Sequence, residues 1–262
     1  MSLKHLIKKS IFSFIALLPA PQNSASILMY HSLGDNKAFF TTPPDMFERH
    51  VRYLKEKRYT VIGISSLVQK IINKQDLSKT VTLTFDDGYE DLYRVLFPLL
   101  KKYAVPATIF LPTGLIGKAM TTSDGVSFFI LTLAQIKEMK ESGLVEFMPH
   151  TKHHQLLDRI PLKEAEQEIA ESSRDIRDLL GGDANVLAYP KGKYTSDIVK
   201  LVKRLGFIAA VTVRGGVVSS TSHLFELSRN AIDSSTSWLE FTVKASGRIA
   251  YYESLKKRIN RV

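Results

Sequence analysis

The chain contains no cysteine, which removes disulfides, thiolate nucleophiles and sulfur ligands and leaves any metal to histidine and carboxylate side chains. That absence leaves the redox compartment open, because an exported protein need not use disulfides. At the N-terminal end the uncharged stretch 10–18 is too short to span a bilayer. No low-complexity linker divides the 262 residues, so a single large domain is the simplest organisation. No phosphate-cradling glycine loop is present, which argues against a sugar-nucleotide transferase that would hold a metal diphosphate through paired aspartates. The one tryptophan, Trp238, reads as part of a helix face in the core.

What is present is ordinary globular composition, 44% hydrophobic and 24% charged. The net charge of +10 is unevenly spread. Residues 1–26 carry Lys4, Lys8 and Lys9 with no acid, and residues 247–262 carry five bases against Glu253, leaving +3 for everything between. Basic ends point to an anionic surface near the termini, such as a membrane, and not to a nucleic-acid groove. Leu3, Leu6, Ile7, Ile11, Phe14, Ile15 and Leu18 follow helical spacing beside the lysines. This stretch reads as a surface-lying amphipathic helix, as a signal sequence, or as a helix packed on the domain. Ser24-Ala25-Ser26 offers only a poor cleavage site, which would cut into the next strand. Three segments result: 1–25, a basic amphipathic or signal-like segment; 26–246, the domain; and 247–262, a basic C-terminal helix.

Within the domain, strand and helix patterns alternate about eight times. Val81 to Phe85 has the β-branched and aromatic content of a buried strand, and the segment from Tyr89 to Tyr103 has helical spacing. Residues 112–131 read as a long loop, and Phe225 to Leu227 as a short late strand followed by Arg229. The alternation implies a parallel sheet closed or nearly closed into a barrel, whose strand ends converge on one face. At such ends stand His31, Asp86 with Asp87, His150 to His154, the Tyr189-Pro190 corner and Arg229. A His-x-x-x-His pair with one carboxylate suits a divalent, Zn-like ion with open positions. Of the two aspartates, one is then a ligand and the other free to take a proton from the attacking water. His5, His50 and His223 have no such context and read as surface residues.

Thr84-Phe85-Asp86-Asp87-Gly88 and His150-Thr151-Lys152-His153-His154 with Leu157 resemble the TFDDG and H-T-x-x-H-x-x-L motifs of the metal-dependent polysaccharide deacetylases. Leu28 to Ser32, Tyr189-Pro190-Lys191-Gly192 and Leu227-Ser228-Arg229 look like the bacterial branch that begins with a YHS-type strand. The resemblance implies an α/β fold, a distorted (β/α)7-type barrel of parallel strands with N- and C-terminal helical extensions. It implies a hydrolase of carbon–nitrogen bonds that removes an acetyl group from an N-acetylhexosamine unit of a cell-envelope polysaccharide or lipid-linked sugar. Carried over, Asp87, His150 and His154 would bind the metal, Zn²⁺ foremost. Asp86 would be the base and His31 the acid, while Tyr189, Pro190 and Lys191 would meet substrate or oxyanion. Many relatives carry arginine at the position of Ala188 and an aromatic residue at that of Lys191. Arg229 is the candidate to replace that arginine beside Asp86. These departures keep a binding protein with impaired turnover in play, alongside an amidase for a small non-sugar substrate. The expected location is the cell envelope, exported or at a membrane surface, with the cytoplasmic face as the alternative.

Overall fold

The computed structural model describes residues 3–36, 38–122 and 125–259, and of residues 3–7 the backbone only. The outermost residues of both basic ends, Met1, Ser2 and 260–262, and the side chains of Lys4 and His5, therefore lie outside the described residues.

In chain order the elements are α1 (Leu3–Leu17), β1 (Ala25–Tyr30), α2 (Pro44–Glu56), β2 (Thr60–Val61), α3 (Ile64–Ile72), β3 (Thr80–Phe85), α4 (Phe97–Tyr103), β4 (Ala107–Leu111), β5 (Ala119–Thr121), β6 (Ser127–Phe129), α5 (Leu133–Glu141), β7 (Val145–Pro149), α6 (Leu162–Leu180), β8 (Val186–Ala188), α7 (Ser196–Arg204), β9 (Ala209–Val211), β10 (Asn230–Ala231), α8 (Trp238–Ala245) and α9 (Ile249–Ile259). The fold is α/β around parallel strands in the order β10-β1-β3-β4-β7, with β2 at the start of β3 and a separate parallel pair β8-β9. A parallel bridge between Val211 and Leu227 carries the ring from β9 toward β10. No strand pairing joins β7 to β8 among the described residues, so the barrel is open at that seam.

Both faces of β1 and β3 are buried, as expected of strands covered by helices outside and by barrel side chains inside. Helix ends follow their local chemistry. Pro44 starts α2, Thr132 and Gln135 form a capping box on α5, and Gly181 at φ 67° ends α6.

Three sequence expectations are corrected here. Residues 112–131 are not a plain loop: a 3-10 turn (Thr113–Leu115) is followed by the antiparallel hairpin β5–β6. Its strands show exposed side chains and short length, so they lack the buried apolar alternation that would mark them. The late strand is β10, and Phe225 lies in a 3-10 turn, so Arg229 immediately precedes a strand instead of following one. His50 is fully buried on α2, its ring stacked 3.7 Å from that of Phe241 and its Nδ1 bonded to the Tyr30 hydroxyl. It occupies a core position of the α2 stripe beside Phe47, Val51 and Leu54.

Candidate metal and catalytic site

β3 ends at Phe85 and delivers Asp86 and Asp87 to the C-terminal rim of the barrel. Asp87 then takes φ 69° and Gly88 φ 66°, a left-handed pair that turns the chain sharply and aims the Asp87 side chain inward. A Cβ on Gly88 would lie 2.5 Å from Leu111 Cδ1, so the second position needs glycine for space as well as for backbone angle. After β7, Thr151 (φ 60°) and His154 (φ 58°) are also left-handed. Strain of order 1–3 kcal/mol per such residue persists where surrounding packing over-determines the geometry, and here it folds His150 and His154 back toward Asp87.

Asp87 Oδ1 stands 3.6 Å from His150 Nε2 and 3.3 Å from His154 Nε2. The ligand atoms of these three residues all lie within 4.8 Å of one another. Asp87 Oδ2 accepts a 2.8 Å bond from the Tyr89 hydroxyl, while the buried Oδ1 has no hydrogen-bond donor. His150 Nδ1 bonds to the carbonyl of Ala188 at 2.8 Å, which fixes Nδ1–H and leaves the Nε2 lone pair pointing at the site. Burial lowers the His150 pKa to about 4, with neighbouring carboxylates opposing, so the ring is neutral as a ligand must be. An orphaned carboxylate oxygen facing two imidazole nitrogens is the donor set of a divalent metal, and the three residues fit one.

Asp86 is held from below. Arg229, fully buried, gives Nη1 to Oδ1 at 2.6 Å and Nη2 to Oδ2 at 2.7 Å. Its Nε donates to Thr212 O, its Nη1 also reaches Thr84 Oγ1, and its guanidinium lies 5.2 Å from the Phe110 ring centre. Burial alone would raise the Asp86 pKa, but the charge of Arg229, aided by the nearby histidines, outweighs it and holds the carboxyl well below its ordinary value. Asp86 is thus kept ionised, with one lone pair on each oxygen left by the bidentate fork. Among the described residues the shared cavity, about 450 Å³, is lined by Asp86, Asp87, His31, His150, His154 and Lys191. Phe39, Phe40 and the hairpin residues Met120, Thr121 and Thr122 form further walls.

The sequence-predicted residues therefore divide. Asp86, Asp87, His31, His150, His154 and Lys191 meet at one cavity, and Arg229 supports it from inside the barrel. Tyr189 does not reach it: its ring is buried against Tyr194, its hydroxyl donates to Phe225 O, and its amide donates to Val211 O at 3.3 Å. Pro190 has no N–H to offer. His153 bonds to Glu168, Nδ1 to Oε1 at 2.7 Å, and it is His154 that groups with Asp87 and His150 as a possible metal ligand. Sequence reasoning missed Tyr89, whose position two residues after Asp87 was the available signal.

The model for polysaccharide deacetylases matches residues 73–210, more than half of the chain. YxkH of Bacillus subtilis (strain 168), a protein carrying the polysaccharide deacetylase name, is 30% identical over 231 residues, 88% of this chain and 76% of its own length. The chain belongs to the polysaccharide deacetylase family. As a member it is a carbohydrate deacetylase, a hydrolase of carbon–nitrogen bonds other than peptide bonds. The poly-β-1,6-N-acetyl-D-glucosamine N-deacetylase of Staphylococcus aureus is 24% identical over 79% of this chain and 78% of its own length. The Streptococcus pyogenes deacetylase PplD, solved with acetate, superposes with a TM-score of 0.75 at 29% identity, covering 86% of this deacetylase and 99% of PplD.

Proposed function

We propose that this deacetylase releases acetate from N-acetylglucosamine-type units of a cell-envelope polysaccharide, a lipid-linked sugar being the second substrate form. Asp87, His150 and His154 would hold a divalent ion, Zn²⁺ in the first instance. The observation that carries the reading is the pairing of an orphaned, histidine-facing Asp87 Oδ1 with an ionised Asp86 one residue away, both at the floor of an open cavity. A protein that only bound sugar would have no need of a free carboxylate base beside a metal site.

When bound, the ion supplies positive charge that polarises the amide carbonyl and eases deprotonation of water. Asp86 accepts the proton of the attacking water on a lone pair that Arg229 does not use. Arg229 keeps that carboxylate in one orientation through two parallel bonds. His31, which lines the same cavity, gives a proton to the sugar nitrogen as the carbon–nitrogen bond breaks. The products are acetate and a free amine, so the polymer gains a site for positive charge. Lys191, on the rim, is placed to meet substrate hydroxyl or anionic groups.

The test is acetate release from N-acetylglucosamine oligomers by metal-reconstituted protein beside Asp86→Asn, with bound metal measured in both. Release should fall on the order of 10²–10⁴-fold in the variant, at unchanged metal content. Equal rates in the two would remove Asp86 from the chemistry. Release from neither, with metal bound, would favour the binding-protein reading.

A further inference from the structure

α1 is packed on the domain: Phe12 and Ile15 are buried with Val243 of α8 and Ile249 of α9, and Phe12 meets Tyr252 at 4.9 Å. Lys8 pairs with Glu240 near the start of α8, while Leu18 O and Pro19 O accept from Arg248 and Tyr251 near the start of α9. So α1 and α9 lie side by side and antiparallel on the flank of the barrel. Their inward faces are filled. Their outward faces mix bases and serines with large exposed apolar side chains, which an ordinary solvated face lacks. Phe14 and Leu17 are 65% and 84% exposed, Ile259 is 63% exposed, and Tyr251 and Leu255 are exposed beside them.

Between the two helices runs an apolar groove of about 550 Å³, lined by Ile11, Phe14, Ile15, Leu18, Tyr251 and Leu255, with Arg258 at its edge. The exposed bases Lys9, Lys257 and Arg258 have no carboxylate partner among the described residues, whereas Lys8 and Lys256 are paired. Apolar side chains between unpaired cations fit one kind of partner: acyl chains beneath a layer of negative headgroups. No described helix is long and apolar enough to cross a membrane, and a pair of helices lying in the interface does not need to be.

We infer that the α1–α9 face docks on an anionic lipid bilayer. Phe14, Leu17, Leu255 and Ile259 enter the acyl boundary, and Lys9, Lys257 and Arg258 meet the headgroups. The inference is independent of the catalytic reading, since none of these residues reaches the deacetylase cavity.

Co-sedimentation of the full chain with vesicles of equal phosphatidylglycerol and phosphatidylcholine tests it. Binding is expected, about 10²-fold weaker on pure phosphatidylcholine, as three surface cations should give. Phe14→Gln with Leu17→Gln should weaken binding to both vesicles at least about tenfold. Lys9→Gln with Lys257→Gln and Arg258→Gln should abolish only the preference for negative lipid. Leu255→Gln with Ile259→Gln repeats the apolar test on the other helix should the α1 variant fold poorly. Circular dichroism and acetate release from soluble oligomers should be unchanged in all of these. Failure to sediment with the negative vesicles, or sedimentation that the apolar variants leave unchanged, would overturn the inference. So would a concentration-dependent dimer, dissolved by Phe14→Gln with Leu17→Gln, in protein that does not bind vesicles; the groove would then belong to a second copy.

Discussion

Arg229 and Tyr89 each hold one aspartate of the pair, and they do so by different chemistry. Arg229 is a buried charge matched to a buried charge, so Arg229→Met should both destabilise the fold and lower turnover. Leaving Asp86 unpaired should cost about 3–5 kcal/mol, read as a drop in the urea midpoint. Arg229→Lys keeps the charge but loses the fork; it should recover part of the stability and little of kcat. Tyr89→Phe keeps the ring against Phe40 and Phe128 and deletes only the bond to Asp87 Oδ2. It should fold normally and bind metal about 10–100-fold more weakly, measured by competition with a chelator. At this scale the sequence was informative about which groups meet at the cavity, because paired aspartates and a spaced histidine pair leave short, dense signals. It was silent on how Arg229 reaches Asp86, since 143 positions separate them and only the pairing of β10 with β1, and of β1 with β3, makes them neighbours. Tyr189 was misjudged for the same reason: its place in a corner was legible, its direction was not.

Among the elements, α2 and α8 share an unusual contact, the His50 ring stacked on Phe241 at 3.7 Å with Trp238 packed beside both. Burial, with the nearby charges of Arg49 and Lys244, lowers the His50 pKa to about 3. The unfolded chain protonates this ring near pH ~6.5, so its contribution to stability is full above that value and is lost as the pH falls toward 3. Asp91 behaves in the opposite sense. Burial raises its pKa to about 6 against the bonds from Ser32 and Leu33, so its contribution is full below ~3.9 and is lost as the pH rises through 6. Between roughly pH 4 and 6 the two oppose each other. The difference in unfolding free energy between wild type and His50→Phe isolates the first: it should change by about 1.4 kcal/mol per pH unit from ~6.5 down to ~4. A flat difference in urea titrations would mean that the ring is solvated. The helices with a strong apolar stripe, α2 and α6, and the capped helix α5 were legible from residue pattern, as were the buried strands β1, β3 and β4. The β5–β6 hairpin was not, because exposed strands of three residues carry too little pattern to distinguish from loop.

For the whole molecule, alternation of strand and helix was enough to give parallel architecture, while the seam between β7 and β8 left no mark in the residue pattern. Across that seam, the bond from His150 Nδ1 to Ala188 O ties the end of one sheet to the other pair of strands. The same imidazole presents its other nitrogen to Asp87. One ring is therefore both clasp and candidate ligand. A cation gripped by Asp87, His150 and His154 would fasten β8 and β9 to the rest of the barrel, and losing it would slacken them. Amide hydrogen exchange in residues 186–188 and 209–211 should accordingly slow on metal loading far more than exchange in β1 or β3, so that the state of the reaction centre can be read from the tightness of the ring.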